Sequence, residues 1–103
     1  MNSDLRDLAA IDRLIHEPAR LVIVATLYAV QKADFIFLLR QTGLTKGNLS
    51  AHLARLEEAG YVKVEKTFRG KVPQTVSSLT EVGRIAFRDY RARLKRAVDN
   101  IPE

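Results

Sequence analysis

Cysteine is absent from the 103 residues, which excludes disulfides, thiolate catalysis, iron–sulfur clusters and cysteine-ligated zinc together. Histidine is nearly absent: His16 and His52 stand in different helical contexts, without a carboxylate at metal-site spacing, so neither a metal nor any other cofactor is expected. Long apolar runs are missing as well. The longest, Leu21 to Val30, is broken by Thr26 and Tyr28 and falls well short of the roughly 20 residues that span a bilayer, so it reads as a buried helix. The N-terminal stretch mixes acids and bases rather than setting a basic segment before an apolar one, which predicts a cytoplasmic address. No repeat, low-complexity tract or linker interrupts the chain, and residues 1–103 read as a single domain with one modest core, 47% of the residues being hydrophobic. Catalytic arrangements are lacking too: there is no nucleophile–base pair and no phosphate-binding glycine loop. Asp4, Asp7 and Asp12 on a first helix are interleaved by Arg6 and Arg13 and read as a solvated face, so the sequence does not predict an enzyme.

Acidic residues are scarce in one part only. Residues 1–60 hold seven Lys or Arg and seven Asp or Glu, whereas residues 61–103 hold ten and five, so the formal net charge of +5 belongs to the second part. Such an excess raises the local concentration of a polyanion without identifying it.

What is present is punctuated helix. Ser3 can cap a helix running through Ile15, with Leu5, Leu8, Ile11 and Ile15 as its apolar edge. Pro18 opens a second helix to Ala29 or Gln31, whose face of Leu21, Val24, Leu27 and Tyr28 is widened by Val22, Ile23 and Val30 until it is nearly apolar all round. Asp34 caps a third helix, Phe35 to Gln41, and Thr45 a fourth, Lys46 to Ala59, closed by Gly60. Tyr61 to Phe68 and Val72 to Val76 have β-branched and aromatic strand composition around the tip Arg69-Gly70-Lys71. Pro73 suggests that one edge of this hairpin is not continued by another strand. Thr80 caps a last helix in which Val82, Ile85, Ala86, Tyr90, Leu94, Val98 and Ile101 recur at helical spacing, and Phe87 broadens the stripe. A stripe that long exceeds what a small core needs, which predicts that it packs on a second copy of the chain.

Residues 34–60 carry the chemistry. A short apolar helix, the reversal at Gly43 with Leu44 as its plug, and a helix with Leu49, Leu53 and Leu56 on one side make a helix-turn-helix. The opposite side carries Gly47, Asn48, Ala51, Ala54 and Arg55: three small residues permit close approach, and Asn48 and Arg55 have the donors that read adenine and guanine edges in a major groove. Glu57 and Glu58 alone favour a protein partner over DNA.

The order of parts resembles the winged helix-turn-helix transcriptional regulators, and within them the small MarR/ArsR-like group. The resemblance spans nearly the whole chain and rests on His16-Glu17-Pro18-Ala19-Arg20, on Leu44-Thr45-Lys46-Gly47-Asn48-Leu49-Ser50-Ala51-His52-Leu53, on Leu56-Glu57-Glu58-Ala59-Gly60-Tyr61-Val62 and on Leu79-Thr80-Glu81-Val82-Gly83-Arg84. It implies a mainly α fold with a small β-hairpin and extra N- and C-terminal dimerisation helices. It further implies a homodimeric repressor that reads a palindromic operator in double-stranded DNA. Carried onto this chain, the groove residues are Thr45, Lys46, Asn48, Ser50, Ala51 and Arg55, with His52 at the margin, and the wing residues are Lys66, Arg69 and Lys71. The dimer interface falls on Leu5, Leu8, Ile15, Phe87, Tyr90, Leu94, Val98 and Ile101. The cysteine and clustered-histidine ligands of the metal-sensing members are missing here. The alternative is a winged-helix module that binds a protein partner without binding DNA.

Overall fold

A computed structural model describes residues 3–103, apart from the side chains of Ser3 and Asp4. Its elements run α1 (Ser3–Arg6), α2 (Pro18–Val30), β1 (Lys32–Asp34), α3 (Phe35–Thr42), α4 (Lys46–Glu58), β2 (Val62–Arg69), β3 (Val72–Leu79) and α5 (Glu81–Asp99). This is a winged helix fold, mainly α with a small antiparallel sheet.

The sequence predicts one N-terminal helix through Ile15, whereas the helix stops at Arg6. Residues 7–11 continue as tight turns, with N–H groups reaching the carbonyl three residues back, as from Ala9 to Arg6 at 3.0 Å. Asp12 then ends the run, because its Oδ1 accepts from Leu14 N at 2.9 Å and Ile15 N at 3.2 Å and so offers the backbone an alternative to helix. Asp7 and Asp12 therefore do not share a helix with Asp4. The proposed Ser3 cap lies outside the described side chains.

Glu17, rather than a Ser or Thr, caps α2: its carboxylate accepts from Ala19 N at 2.8 Å and Arg20 N at 3.2 Å, with Pro18 in the first turn where its missing N–H costs nothing. Ile23, Val24 and Leu27 are fully buried, while Val22 and Val30 reach the surface, so α2 is central but not covered on every side. It packs on α3, α4, α5 and the sheet. Around it the core gathers Ile11, Ile15, Leu38, Leu49, Leu53, Leu56, Val62, Leu79, Phe87 and Tyr90.

The sheet has three strands in the order β1-β3-β2, one more than the hairpin read from sequence. Lys32, Ala33 and Asp34 pair with Ser78, Ser77 and Val76, a segment too short to show a period. The edge of β3 that the proline was expected to leave free is continued by β1, but only over Val76 to Ser78, so it stays open at Pro73 itself. Between β2 and β3, Gly70 alone of the two turn residues has positive φ (64°), the pattern of a type II′ turn.

Two close fits hold the ends of this sheet. After α4, Gly60 at φ 82° lets its N–H reach Glu57 O and the Tyr61 N–H reach Leu56 O, both at 2.9 Å, a Schellman closure. Thr80 caps α5 by accepting from Gly83 N at 3.0 Å, donates its hydroxyl to Gly60 O and gives its own N–H to Tyr61 O. At Gly83 a Cβ would stand 2.2 Å from the Tyr61 carbonyl oxygen, so α5 meets the chain at a point where only glycine fits.

Candidate nucleic-acid interface

The recognition surface starts from the turn between α3 and α4. Gly43 takes the left-handed conformation (φ 68°) and returns its N–H to Leu39 O, and Leu44 packs against the core. Thr42 Oγ1 donates to Leu38 O and accepts from Leu44 N, fixing the corner. Thr45 Oγ1 then accepts from Asn48 N at 3.2 Å. Thr45 therefore spends its oxygen on starting α4, which leaves its O–H as the group it can turn outward.

Leu49, Leu53 and Leu56 of α4 are buried, and Lys46, Gly47, Asn48, Ser50, Ala51, Ala54 and Arg55 are exposed. At about 100° per residue, Gly47, Ala51 and Ala54 lie opposite the leucines, with Lys46 and Ser50 to one side and Asn48 and Arg55 together on the other. Nothing stands within 4 Å of where a Gly47 Cβ would be, so the face is open there. Among the described residues Arg55 makes no ion pair with Glu58, although the two border one shallow hollow together with Leu14 and Ala59. Glu57 is used within the fold: its Oε2 accepts from Val64 N at 3.3 Å and ties α4 to β2. One of the two acids that favoured a protein partner is thereby given a structural role.

His52 does not stand with the reading face. Its Nδ1 turns toward α2, 3.2 Å from Arg20 Nη1 and 3.5 Å from Glu17 Oε2, with 23% of its side chain exposed. Arg20 is itself buried and donates Nε–H to Leu14 O at 2.6 Å. Burial alone would raise the Glu17 carboxyl, but the N–H groups of Ala19 and Arg20, then the charges of His52 and Arg20, hold it below the ordinary carboxylate value. The sequence reading missed Arg20 and Glu17 as neighbours of this surface. Their signal was the His-Glu-Pro-Ala-Arg opening of α2, which names residue types but not their facing partner on α4.

Lys66, Arg69 and Lys71 are all exposed on the hairpin. Val62 and Val64 turn toward the core, so Lys66 and Phe68 continue their face while Arg69 shares the other with Lys63 and Glu65. Lys66 and Arg69 thus leave the strand on opposite sides, and only the tip presents Arg69 and Lys71 together. Arg40, absent from the sequence-derived set, is exposed in the last turn of α3. With Arg69, Phe37, Val72 and Pro73 it borders a groove of about 590 Å³ between α3 and the hairpin.

The residues assigned to a dimer interface divide. Ile15, Phe87 and Tyr90 are buried in the chain's own core, at 0%, 8% and 2% exposure, and offer no surface to a partner. The spacing of Phe87 and Tyr90 matched the interface stripe because that stripe faces α2 and the segment before it, where the Tyr28 ring lies tilted against Phe87 and His16 Nδ1 meets Tyr90 O–H at 2.8 Å. Leu5 and Leu94 are half-buried, and Leu8, Val98 and Ile101 are exposed. The basic flanks of α5 are partly consumed at home, since Arg93 and Arg96 both bind Asp7. Among the described residues no three His, Asp or Glu gather where a metal could sit, and no helix is long and apolar enough to cross a membrane.

A capped helix with an open polar face, a preceding helix set at a glycine turn and a basic-tipped hairpin define a winged helix-turn-helix protein. The known winged helix DNA-binding domain matches residues 19–98. The chain belongs to that family. It is 34% identical over 90 residues to an uncharacterized protein of Methanocaldococcus jannaschii, covering 86% of this chain and 97% of the relative. The structure of a transcriptional regulator homologue from Pyrococcus horikoshii OT3 is similar at TM-score 0.85 and 30% identity, over 95% of this chain and 96% of that one. Reduced AbfR bound to DNA shares the fold at TM-score 0.64 and 23% identity, over 81% of this chain and 57% of that chain.

Proposed function

We propose that this DNA-binding protein is a sequence-specific transcriptional regulator, a homodimeric repressor that reads a palindromic operator through α4. The observation that carries the reading is the exposed Gly47, Asn48, Ala51 and Arg55 face on a helix whose other side is locked into the core by three leucines. Small residues let the helix backbone approach base edges, and Asn48 and Arg55 supply bidentate donors for adenine and guanine. Lys46, Ser50 and the outward O–H of Thr45 sit where a helix entering a groove meets backbone, and Arg69 and Lys71 at the wing tip add phosphate contacts that position without reading sequence. Arg40 joins them on the groove beside the wing. The exposed Leu8, Val98 and Ile101, with half-buried Leu5 and Leu94, support a two-fold contact between terminal segments, which a palindromic operator requires. With Glu57 bonded to β2, the protein-partner alternative rests on Glu58 alone.

Fluorescence anisotropy with random-sequence duplex tests the premise: binding is expected in the micromolar range and to weaken steeply with salt. An operator selected from genomic fragments then separates the residues. Arg55→Ala is expected to cost about 1–3 kcal/mol on operator and to relax preference at one position, while Lys71→Ala weakens operator and random duplex alike. Equal losses of Arg55→Ala on both duplexes would remove its reading role, and a monomer by sedimentation at binding concentrations would remove the palindrome.

A further inference from the structure

His52 Nδ1 has two neighbours that it cannot satisfy in one protonation state. A guanidinium only donates, so the 3.2 Å approach of Arg20 Nη1 requires a lone pair on Nδ1, with the imidazole proton on Nε2. The carboxylate of Glu17 only accepts, so the 3.5 Å approach of its Oε2 becomes a hydrogen bond only when Nδ1 carries a proton. Arg20 and Glu17 are themselves 3.4 Å apart, which closes a triangle of one cation, one anion and one group that switches. Arg20 cannot move aside easily. It is 8% exposed and its Nε–H is held by the Leu14 carbonyl, so the guanidinium is fixed to the segment before α2.

The position of the triangle gives it a use. His52 follows Ala51 and lies one turn before Arg55, in the middle of α4, whereas Glu17 and Arg20 belong to the start of α2. We propose that Arg20 and Glu17 are positioning residues for the recognition helix: neutral His52 accepts from Arg20 and holds α4 in its reading pose, and protonated His52 changes partner to Glu17 and loosens it. This rests on α4 being the DNA-reading helix. The charged groups facing His52 are Glu17, the cap of α2, and Arg20 in its first turn; the segment before α2 contributes the Leu14 carbonyl through Arg20.

Two effects of acidification separate cleanly. A new positive charge on α4 raises affinity for every duplex equally, because phosphates carry no sequence information. Loosening α4 affects only base reading. The ratio of operator to random-sequence affinity cancels the first effect and reports the second. Between pH 8 and pH 5.5 the ratio is expected to fall by roughly tenfold or more in the wild type, the factor set by one hydrogen bond to a charged group. In His52→Gln, whose amide oxygen can still accept from Arg20 and does not titrate, it is expected to stay constant.

The imidazole is read independently of DNA by nitrogen chemical shifts in the free, folded wild type. The Nε2–H tautomer is expected at pH 8, and an Nδ1–H tautomer would overturn the arrangement. Duplex binding with the same pH slope of the ratio in wild type and His52→Gln would overturn the positioning role alone. Absence of duplex binding at every pH would overturn the DNA-reading function itself and the role of the triangle with it.

Discussion

Gly83→Ala places a methyl group where the chain has a carbonyl. The added Cβ would lie 2.2 Å from Tyr61 O, 3.0 Å from Tyr61 C and 3.1 Å from Tyr61 Cα, all backbone atoms that cannot rotate away. Relief requires α5 to move about 1 Å off the start of β2, and that carbonyl also receives the Thr80 N–H at 3.0 Å. The same shift strains the Thr80 hydroxyl bond to Gly60 O. Overpacking of this kind costs about 1–3 kcal/mol, and each weakened hydrogen bond about 1 kcal/mol. Against this, replacing a helical glycine by alanine gains at most about 1 kcal/mol. The net expectation is a loss of about 2–4 kcal/mol, a large share of the roughly 5–15 kcal/mol that holds a domain of ordinary stability together. Urea unfolding followed by circular dichroism measures it, with Gly47→Ala as the matched control: there the Cβ meets nothing within 4 Å, and stability is expected to hold or rise by up to about 1 kcal/mol. A Gly83→Ala midpoint at or above the wild-type value would refute the reasoning.

Gln31, at the end of α2, stands at φ 72° and ψ −49°, a conformation that L side chains rarely adopt. Gln31→Gly is expected to raise stability by about 1 kcal/mol, seen as a higher melting temperature; a lower one would show that its side chain is needed. Tyr61 donates its hydroxyl to Asp12 Oδ2, and burial first, then the bond to and charge of Asp12, push its phenol up to about 12. Because the folded state holds that proton more tightly, the contribution is complete below pH 10 and is lost as pH rises from 10 to about 12. In Tyr61→Phe, stability at pH 7 is expected to fall by about 1 kcal/mol and the stability difference from wild type to shrink across that alkaline range. A difference that stays constant up to pH 12 would contradict the assignment.

Much of this protein is determined by sequence alone because its signals are local. A carboxylate or hydroxyl before a helix, as at Asp34, Thr45 and Thr80, satisfies orphan N–H groups within three residues. Glycine at 43, 60 and 70 supplies positive φ at three of the turns, and the leucines of α4 mark its inward side by period. The open face with Asn48 and Arg55 follows from the same period, so the candidate reading residues were legible before any tertiary structure. What tertiary structure decided concerns partners distant in the chain. Asp12 receives the Tyr61 hydroxyl from 49 residues away, and β1 exists only because Ser77 and its neighbours lie beside it. Ile15, Phe87 and Tyr90 looked like an interface, since period shows that a stripe is apolar but not what covers it. His52 looked like a marginal reader until the fold set Arg20 and Glu17 against it. Periodicity and capping act over one turn of helix, whereas burial and charge pairing depend on which elements the core brings together.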